Sequence, residues 1–207
     1  MYDNKPVLYG ISIDSFVFDE KRLGLFPPER TQKIRVCSFL DDRKRSFAAG
    51  LLLEAALGKD VAFGVRSDDN GKPYIEGGPY FSISHSGKWV ILAVCEEPAG
   101  VDIEIRSLSR NTEGIARRAF HPLEREAARG NLEMFYKTWT AKESYIKMLG
   151  KNLSTLPDFR VIFNGNEGRV EGNPDAVIRV FDDIDGYTAT VCASAGIGWP
   201  GRILIPD

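Results

Sequence analysis

Two spacings of apolar residues recur along this chain, one of two residues and one of three to four. The short period marks strands. It runs through Gly10-Ile-Ser-Ile-Asp14 and again through Gly100-Val-Asp-Ile-Glu104, and Trp89–Cys95 and Tyr187–Ala193 read as further strands of this alternating kind. The longer period marks two helices. One is the apolar run that Arg45-Ser46 opens and that extends from Ala49 to Leu57; the other begins near Leu132 and carries Tyr136, Trp139, Ile146 and Leu149 as one stripe. Both helices stop at glycine, Gly58 and Gly150, the residue that takes the left-handed conformation past a helix end without a Cβ clash. After each helix comes a hairpin-like pair of segments, Val61–Val65 with Pro73–Ile75 and Phe159–Phe163 with Gly168–Glu171. The turns between them are Asp69-Asn-Gly71 and Asn164-Gly-Asn-Glu-Gly168.

The order is therefore strand, helix, antiparallel strands, performed twice. It predicts an α+β fold of two similar lobes in a pseudo-twofold arrangement, each a small antiparallel sheet packed on a long helix. The boundary falls near Pro98–Ala99, giving lobes 1–98 and 99–207, with a ligand cleft expected where they meet. The halves have diverged in chemistry. Where the second helix carries Glu143 and Lys147, the first has Leu51 and Ala55. The ends, Met1–Pro6 and Pro206–Asp207, are expected to fray.

Composition narrows the class of protein. The 207 residues are 43% hydrophobic and 27% charged, ordinary for a soluble globular protein, and the formal net charge of −2 gives no general case for nucleic acid. No apolar run approaches the roughly 20 residues that span a bilayer, and no leader pattern opens the chain. Cys37, Cys95 and Cys192 are odd in number and far apart, which points to free thiols in a reducing compartment, the cytoplasm. Gly-x-Ser-x-Gly, a Walker loop and Gly-x-Gly-x-x-Gly are all missing, so a covalent serine intermediate and a Rossmann cofactor are poor readings.

Candidate chemistry sits in two segments. Asp102 and Glu104 are two apart on a strand and leave the same face; Glu143 and Lys147 are four apart on a helix and share a face there. Two carboxylates from a strand and one from a helix suit Mg²⁺, a hard cation that takes oxygen ligands and completes its shell with water and phosphate. The plainer alternative is a solvated strand face and a surface ion pair. Lys142 points away from that face. His85 sits at a strand-to-turn junction, able to donate to a phosphate oxygen, whereas His121 precedes Pro122 and reads as a cap; the pair has no zinc spacing.

Six motifs occur in order: Arg45-Ser46, Asn70-Gly-Lys-Pro73, Phe81-Ser-Ile-Ser-His-Ser-Gly87, Gly100-Val-Asp-Ile-Glu104, Phe120-His-Pro-Leu-Glu124 and Trp139-Thr-Ala-Lys-Glu-Ser-Tyr-Ile-Lys147. This series closely resembles the 4′-phosphopantetheinyl transferases of the surfactin-synthetase, two-domain type, from about Arg30 to Leu153. The resemblance implies an enzyme that moves the phosphopantetheine arm of coenzyme A onto a serine of an acyl or peptidyl carrier protein and releases 3′,5′-ADP. It implies that Asp102, Glu104 and Glu143 hold Mg²⁺ against the pyrophosphate, with Lys147 beside the same oxygens and Glu143 also a candidate base. Coenzyme A contacts fall on Arg30, Lys33, Arg45, Ser46, Lys72, Ser84 and His85. Other readings of the same residues are a catalytically silent coenzyme A-binding module and a Mg²⁺-dependent pyrophosphate hydrolase. From Lys21 to Ala49 eight Lys/Arg meet three acids, a surface suited to phosphates. Between Arg106 and Arg129 six arginines meet three acids, which suits an acidic carrier protein as well as a solvated helix face. Partners other than coenzyme A and the carrier are not expected, and a two-lobed chain of this kind is expected to act as a monomer.

Overall fold

In the computed structural model, residues 5–68, 71–196, 198–199 and 203 are described. The chain opens with β1 (Val7–Ser12), a 3₁₀ turn at Glu20–Leu25, α1 (Pro28–Val36), α2 (Leu40–Leu57) and α3 (Lys59–Phe63). Four strands follow: β2 (Arg66–Ser67), β3 (Pro73–Tyr74), β4 (Tyr80–Ser86) and β5 (Trp89–Cys95). Then come β6 (Ala99–Ile105), α4 (Thr112–Ala119), α5 (Pro122–Ala128) and α6 (Leu132–Leu149). After a second 3₁₀ turn, β7 (Val161–Asn164), β8 (Glu167–Val170), β9 (Asn173–Phe181) and β10 (Tyr187–Ser194) complete the fold. The class is α+β, as the alternating order of elements predicts.

All strand pairs are antiparallel. Three strands form one sheet in the order β1-β5-β4, five form another in the order β6-β10-β9-β8-β7, and β2 and β3 make a separate short ladder. Each large sheet carries one 18-residue helix. Ala48, Ala49, Leu52 and Leu53 of α2 pack on Phe81, Val90, Leu92 and Val94. Ala141 and Tyr145 of α6 pack on Val161, Val170, Ile178 and Cys192. The sheets then meet through their other residues, with Leu8, Ile91 and Ala93 of the first against Val101, Ile103 and Val191 of the second. Burying each of the Leu, Ile and Val side chains here contributes roughly 1.5–3 kcal/mol, which makes this seam a structural joint, and the site lies along it.

Several expectations need correcting. Val61–Val65 is not a strand: its first part is the short helix α3, which turns Ala62 inward and leaves Val61 and Phe63 exposed. Helix α2 opens at Leu40, so Arg45 lies in its second turn rather than at a helix start. Val90–Cys95 and Tyr187–Ala193 do not alternate between core and solvent, since both runs are buried throughout. They sit between a helix on one face and the opposing sheet on the other, which removes the wet face that alternation needs. Leu149, placed on the core stripe of its helix, is partly exposed. In the second half the hairpin is present as β7 and β8, with Asn164 paired to Glu167. Asp69 and Asn70 of the first turn, and most of the two chain ends read as frayed, lie outside the described residues.

Candidate active site

Strand β6 and helix α6 cross closely, and one glycine makes this possible. A Cβ at Gly100 would fall 1.9 Å from the carbonyl oxygen of Ser144 and 2.5 Å from the nitrogen of Met148. With only a hydrogen there, the helix settles onto the strand and brings Glu143 and Lys147 over Asp102. The helix starts at Asn131, whose side chain accepts from Met134 N, and ends at Gly150, whose φ of 65° lets its N–H fold back onto Ile146 and Lys147 carbonyls.

The structure brings all four candidate catalytic groups into one neighbourhood. Lys147 Nζ lies 2.6 Å from Asp102 Oδ1, 3.0 Å from Ser84 Oγ and 3.8 Å from Glu143 Oε2. Asp102 is buried, not a solvated strand residue. Glu104 is gripped by three donors: Ser86 Oγ at 2.7 Å, Trp139 Nε1 at 3.1 Å and Arg110 Nη1 at 2.9 Å. Arg110 also lies over the Trp139 ring, 5.6 Å from its centroid.

Electrostatics follow from this crowding. Burial, and then the Asp102 and Glu104 charges, push Glu143 up to about 7 against the opposing pull of Lys147. Burial likewise raises Asp102, although Lys147 and Ser84 work against it. Burial opposes the charge on Lys147 too, but Asp102 and Glu143 more than offset it and leave its pKa raised. Three carboxylates thus share Lys147 and Arg110, and burial together with their mutual repulsion favours the protonated forms of Glu143 and Asp102.

Among the described residues no three His, Cys, Asp or Glu side chains are gathered closely enough to cage a metal, so Asp102, Glu104 and Glu143 do not form a closed set. Two observations nonetheless fit a cation. Asp102 Oδ2 is buried with no hydrogen-bond partner, an orphan acceptor that costs about 1–3 kcal/mol unless something binds it. The donor set is all carboxylate oxygen, the ligand type that Mg²⁺ takes.

A cleft of about 330 Å³ opens on the α2 side of β4. Four of the seven candidate coenzyme A residues line it: Arg30, Lys33, Ser46 and His85. Arg30 donates to the Ser46 carbonyl at 3.2 Å, and burial lowers its pKa. Ser46 Oγ is buried there without a partner, a hydroxyl available to a ligand. Burial lowers the pKa of His85, as do the nearby charges of Arg45, Lys147 and Lys33. His85 therefore belongs electrically to both the cleft and the carboxylate cluster.

The remaining three are placed differently. Arg45 does not line the cleft; it donates to the Gly87 carbonyl at 2.7 Å and pairs with Asp42. Lys72 reaches across to the Met148 carbonyl near the end of α6 at 3.4 Å, and burial lowers its pKa. Ser84 faces away from the cleft. On an alternating strand Ile83 and His85 face α2 and the cleft, so Ser84 and its neighbours Ser82 and Ser86 face β6.

The same geometry places the other singled-out residues. Lys142 is fully buried, 2.8 Å from Glu124 Oε2 and bonded to the Phe159 carbonyl. His121 caps α5, its Nδ1 accepting from Leu123 N while Glu124 reaches back to His121 N. A second cavity of about 220 Å³ lies among α4, α5 and α6, lined by Arg117, Arg125, Arg129, Glu113 and Phe135. Ser86, Trp139 and Arg110 were not expected at the site as partners of Glu104. The three alternating serines could have signalled the first, since one strand face with three hydroxyls is an unusual pattern; Arg110 was read only as one of six arginines suited to an acidic carrier.

Comparison with known proteins agrees with this arrangement. Residues 98–192, which contain β6 and α6, match the model of the 4′-phosphopantetheinyl transferase superfamily. A 4′-phosphopantetheinyl transferase of Bacillus subtilis is 31% identical over 90% of this chain and 92% of its own length. The 4′-phosphopantetheinyl transferase Sfp of Bacillus subtilis strain 168 is 30% identical over the same shares. HetI, a 4′-phosphopantetheinyl transferase of Nostoc, is 28% identical over 78% of this chain and 75% of its own. The chain belongs to the 4′-phosphopantetheinyl transferase superfamily, and it is an enzyme of that kind, one that passes phosphopantetheine to carrier proteins. Among the described residues no helix is long and apolar enough to cross a membrane.

Proposed function

We propose that this chain transfers the 4′-phosphopantetheine group of coenzyme A to a serine of an apo acyl or peptidyl carrier protein, with Mg²⁺ present, and releases 3′,5′-ADP. The observation that carries this reading is the place of His85, which lines the cleft beside Arg30, Lys33 and Ser46 and also feels the charge of Lys147, the lysine paired with Asp102 and Glu143. Arg30, Lys33, Ser46 and His85 present cations and donors to a 3′-phosphate and pyrophosphate. In this reading residues 1–98 supply most of the coenzyme A surface, and 99–207 supply the acids and the carrier-docking face.

Bond making is simple to balance. The carrier serine oxygen bonds to the β-phosphorus of the pyrophosphate as the bond to the 3′,5′-ADP oxygen breaks, and the serine proton must leave. Glu143, whose pKa in the metal-free site is raised by burial and by the Asp102 and Glu104 charges, is the carboxylate suited to accept that proton. Lys147 balances charge on the departing phosphate from a position already fixed by Asp102. Mg²⁺, held by Asp102, Glu104 and Glu143, would neutralise pyrophosphate charge. A cytoplasmic setting fits the free state of Cys37, Cys95 and Cys192.

The test is incubation with coenzyme A and Mg²⁺, with and without an apo carrier, read by mass spectrometry. The expected result is 3′,5′-ADP only with the carrier, together with a carrier heavier by the phosphopantetheine arm. Release without a carrier would favour pyrophosphate hydrolysis instead. Glu143→Gln keeps the shape and removes the charge, so transfer should fall by roughly 10²–10⁴-fold, the range typical for loss of a general base, while the thermal unfolding curve stays in place. Near wild-type turnover in that variant would end the assignment of Glu143.

A further inference from the structure

Ser82, Ser84 and Ser86 alternate along β4 and meet the open edge of β6, the edge not used by β10. Val101, Ile103 and Ile105 donate their main-chain N–H groups to these three hydroxyls at 3.1, 3.3 and 3.1 Å. A hydroxyl has one proton and two lone pairs, so one that accepts from an amide still has its proton to give. At two of the three positions a carboxylate receives it. Ser84 Oγ donates to Asp102 Oδ1 and Ser86 Oγ donates to Glu104 Oε2, each at 2.7 Å. Ser82 stands beside Gly100, which has no side chain to receive a proton.

Ser84 and Ser86 therefore each tie down both the backbone of β6 and the carboxylate one residue before the donated amide. We propose that Ser84 and Ser86 are positioning residues for the divalent-cation site, setting the direction of Asp102 and Glu104 from the opposing sheet. The inference rests on the reading of those carboxylates as cation ligands given above. Hydrogen bonds from outer partners orient a metal's ligands, and their loss typically costs about 10–100-fold in affinity. Ser86 is the cleaner probe, because Ser84 also touches Lys147.

The experiment is a Mn²⁺ titration of the full chain followed by electron paramagnetic resonance, without coenzyme A or carrier. Wild type, Ser86→Ala, Ser86→Thr and Ser82→Ala are compared, with near-ultraviolet circular dichroism to check folding. Ser86→Ala should weaken Mn²⁺ binding about tenfold or more, and Ser86→Thr should restore it. Ser82→Ala loses an amide contact but no carboxylate contact, so its affinity should stay at the wild-type value. Equal affinities in Ser86→Ala and wild type would overturn the inference, as would equal losses in Ser82→Ala and Ser86→Ala, which would reduce the serines to strand staples. A wild-type chain that takes no Mn²⁺ would overturn the cation reading itself, and this inference with it. Where Ser86→Ala does not fold, Ser86→Val against Ser86→Thr puts the same question with matched shapes, and equal affinities there would also refute it.

Discussion

Substituting Gly100 by alanine tests the central geometry with a single methyl group. The new Cβ would sit 1.9 Å from the Ser144 oxygen and 2.5 Å from the Met148 nitrogen. Both are backbone atoms within α6, so no side chain can swing away. Restoring ordinary contact, which begins near 3.4 Å, requires β6 and α6 to separate by about 1.5 Å. The Lys147–Asp102 ion pair, now 2.6 Å, would then open beyond hydrogen-bonding range. Inserting a methyl where none fits costs about 1–3 kcal/mol, occasionally more. For a chain of this size that corresponds to a melting temperature lower by about 2–12 °C. Activity should suffer further, because misplacing reacting groups by about 1 Å can cost 10²-fold. Differential scanning calorimetry reads the first effect and carrier modification by mass spectrometry the second. A Gly100→Ala enzyme that melts and turns over like wild type would show that the helix-to-strand contact does not hold the site together.

Lys142→Met should destabilise the fold by about 3–5 kcal/mol in urea unfolding, because it strands Glu124 as a buried charge. Adding Glu124→Gln should recover part of that loss, since the amide oxygen can still accept from Val161 N; no recovery would refute the charge argument. Burial and nearby cations hold His85 below its ordinary pKa, so the free protein favours neutral imidazole. A bound phosphate would raise that pKa, and coenzyme A should therefore bind with proton uptake and more tightly as pH falls toward 6. Calorimetry near pH 6.5 in buffers of different ionisation enthalpy measures the uptake, and a buffer-independent heat would contradict it. Charge reversal at Arg117 and Arg118, both exposed on α4, should slow carrier modification without weakening coenzyme A binding; an unchanged carrier rate would remove α4 from the docking face.

Helix α6 could be read from its sequence almost to the residue, because a three- and four-residue stripe began near Leu132 and stopped at a terminal glycine. The Asp-x-Glu strand and the Glu–Lys helix were equally legible as separate elements. Their meeting was not, since it depends on Gly100 passing under the Ser144 carbonyl, a contact between residues far apart in sequence. Val61–Val65 misled because a short apolar run before a turn suits a strand and a one-turn helix alike, and only the inward packing of Ala62 decides between them. Ser84 was expected at coenzyme A, although strand alternation alone set it opposite to His85. Arg110 was read only with the arginines suited to a carrier, because its contact with Glu104 comes from a loop folding back over Trp139.

The serines between β4 and β6 also decide what kind of joint the molecule has. Among the described residues no main-chain ladder links these two strands, although they run side by side. Had amide met carbonyl there, the sheets would have fused into a single eight-stranded platform, and sliding one strand by a residue would have inverted its inward and outward positions. Hydroxyls at the join instead occupy the bare rim of the acid-bearing strand, denying it to stray strands from other chains. They also leave each half free to keep its own register, so a mutation that disturbs the pairing of one sheet need not propagate into the other.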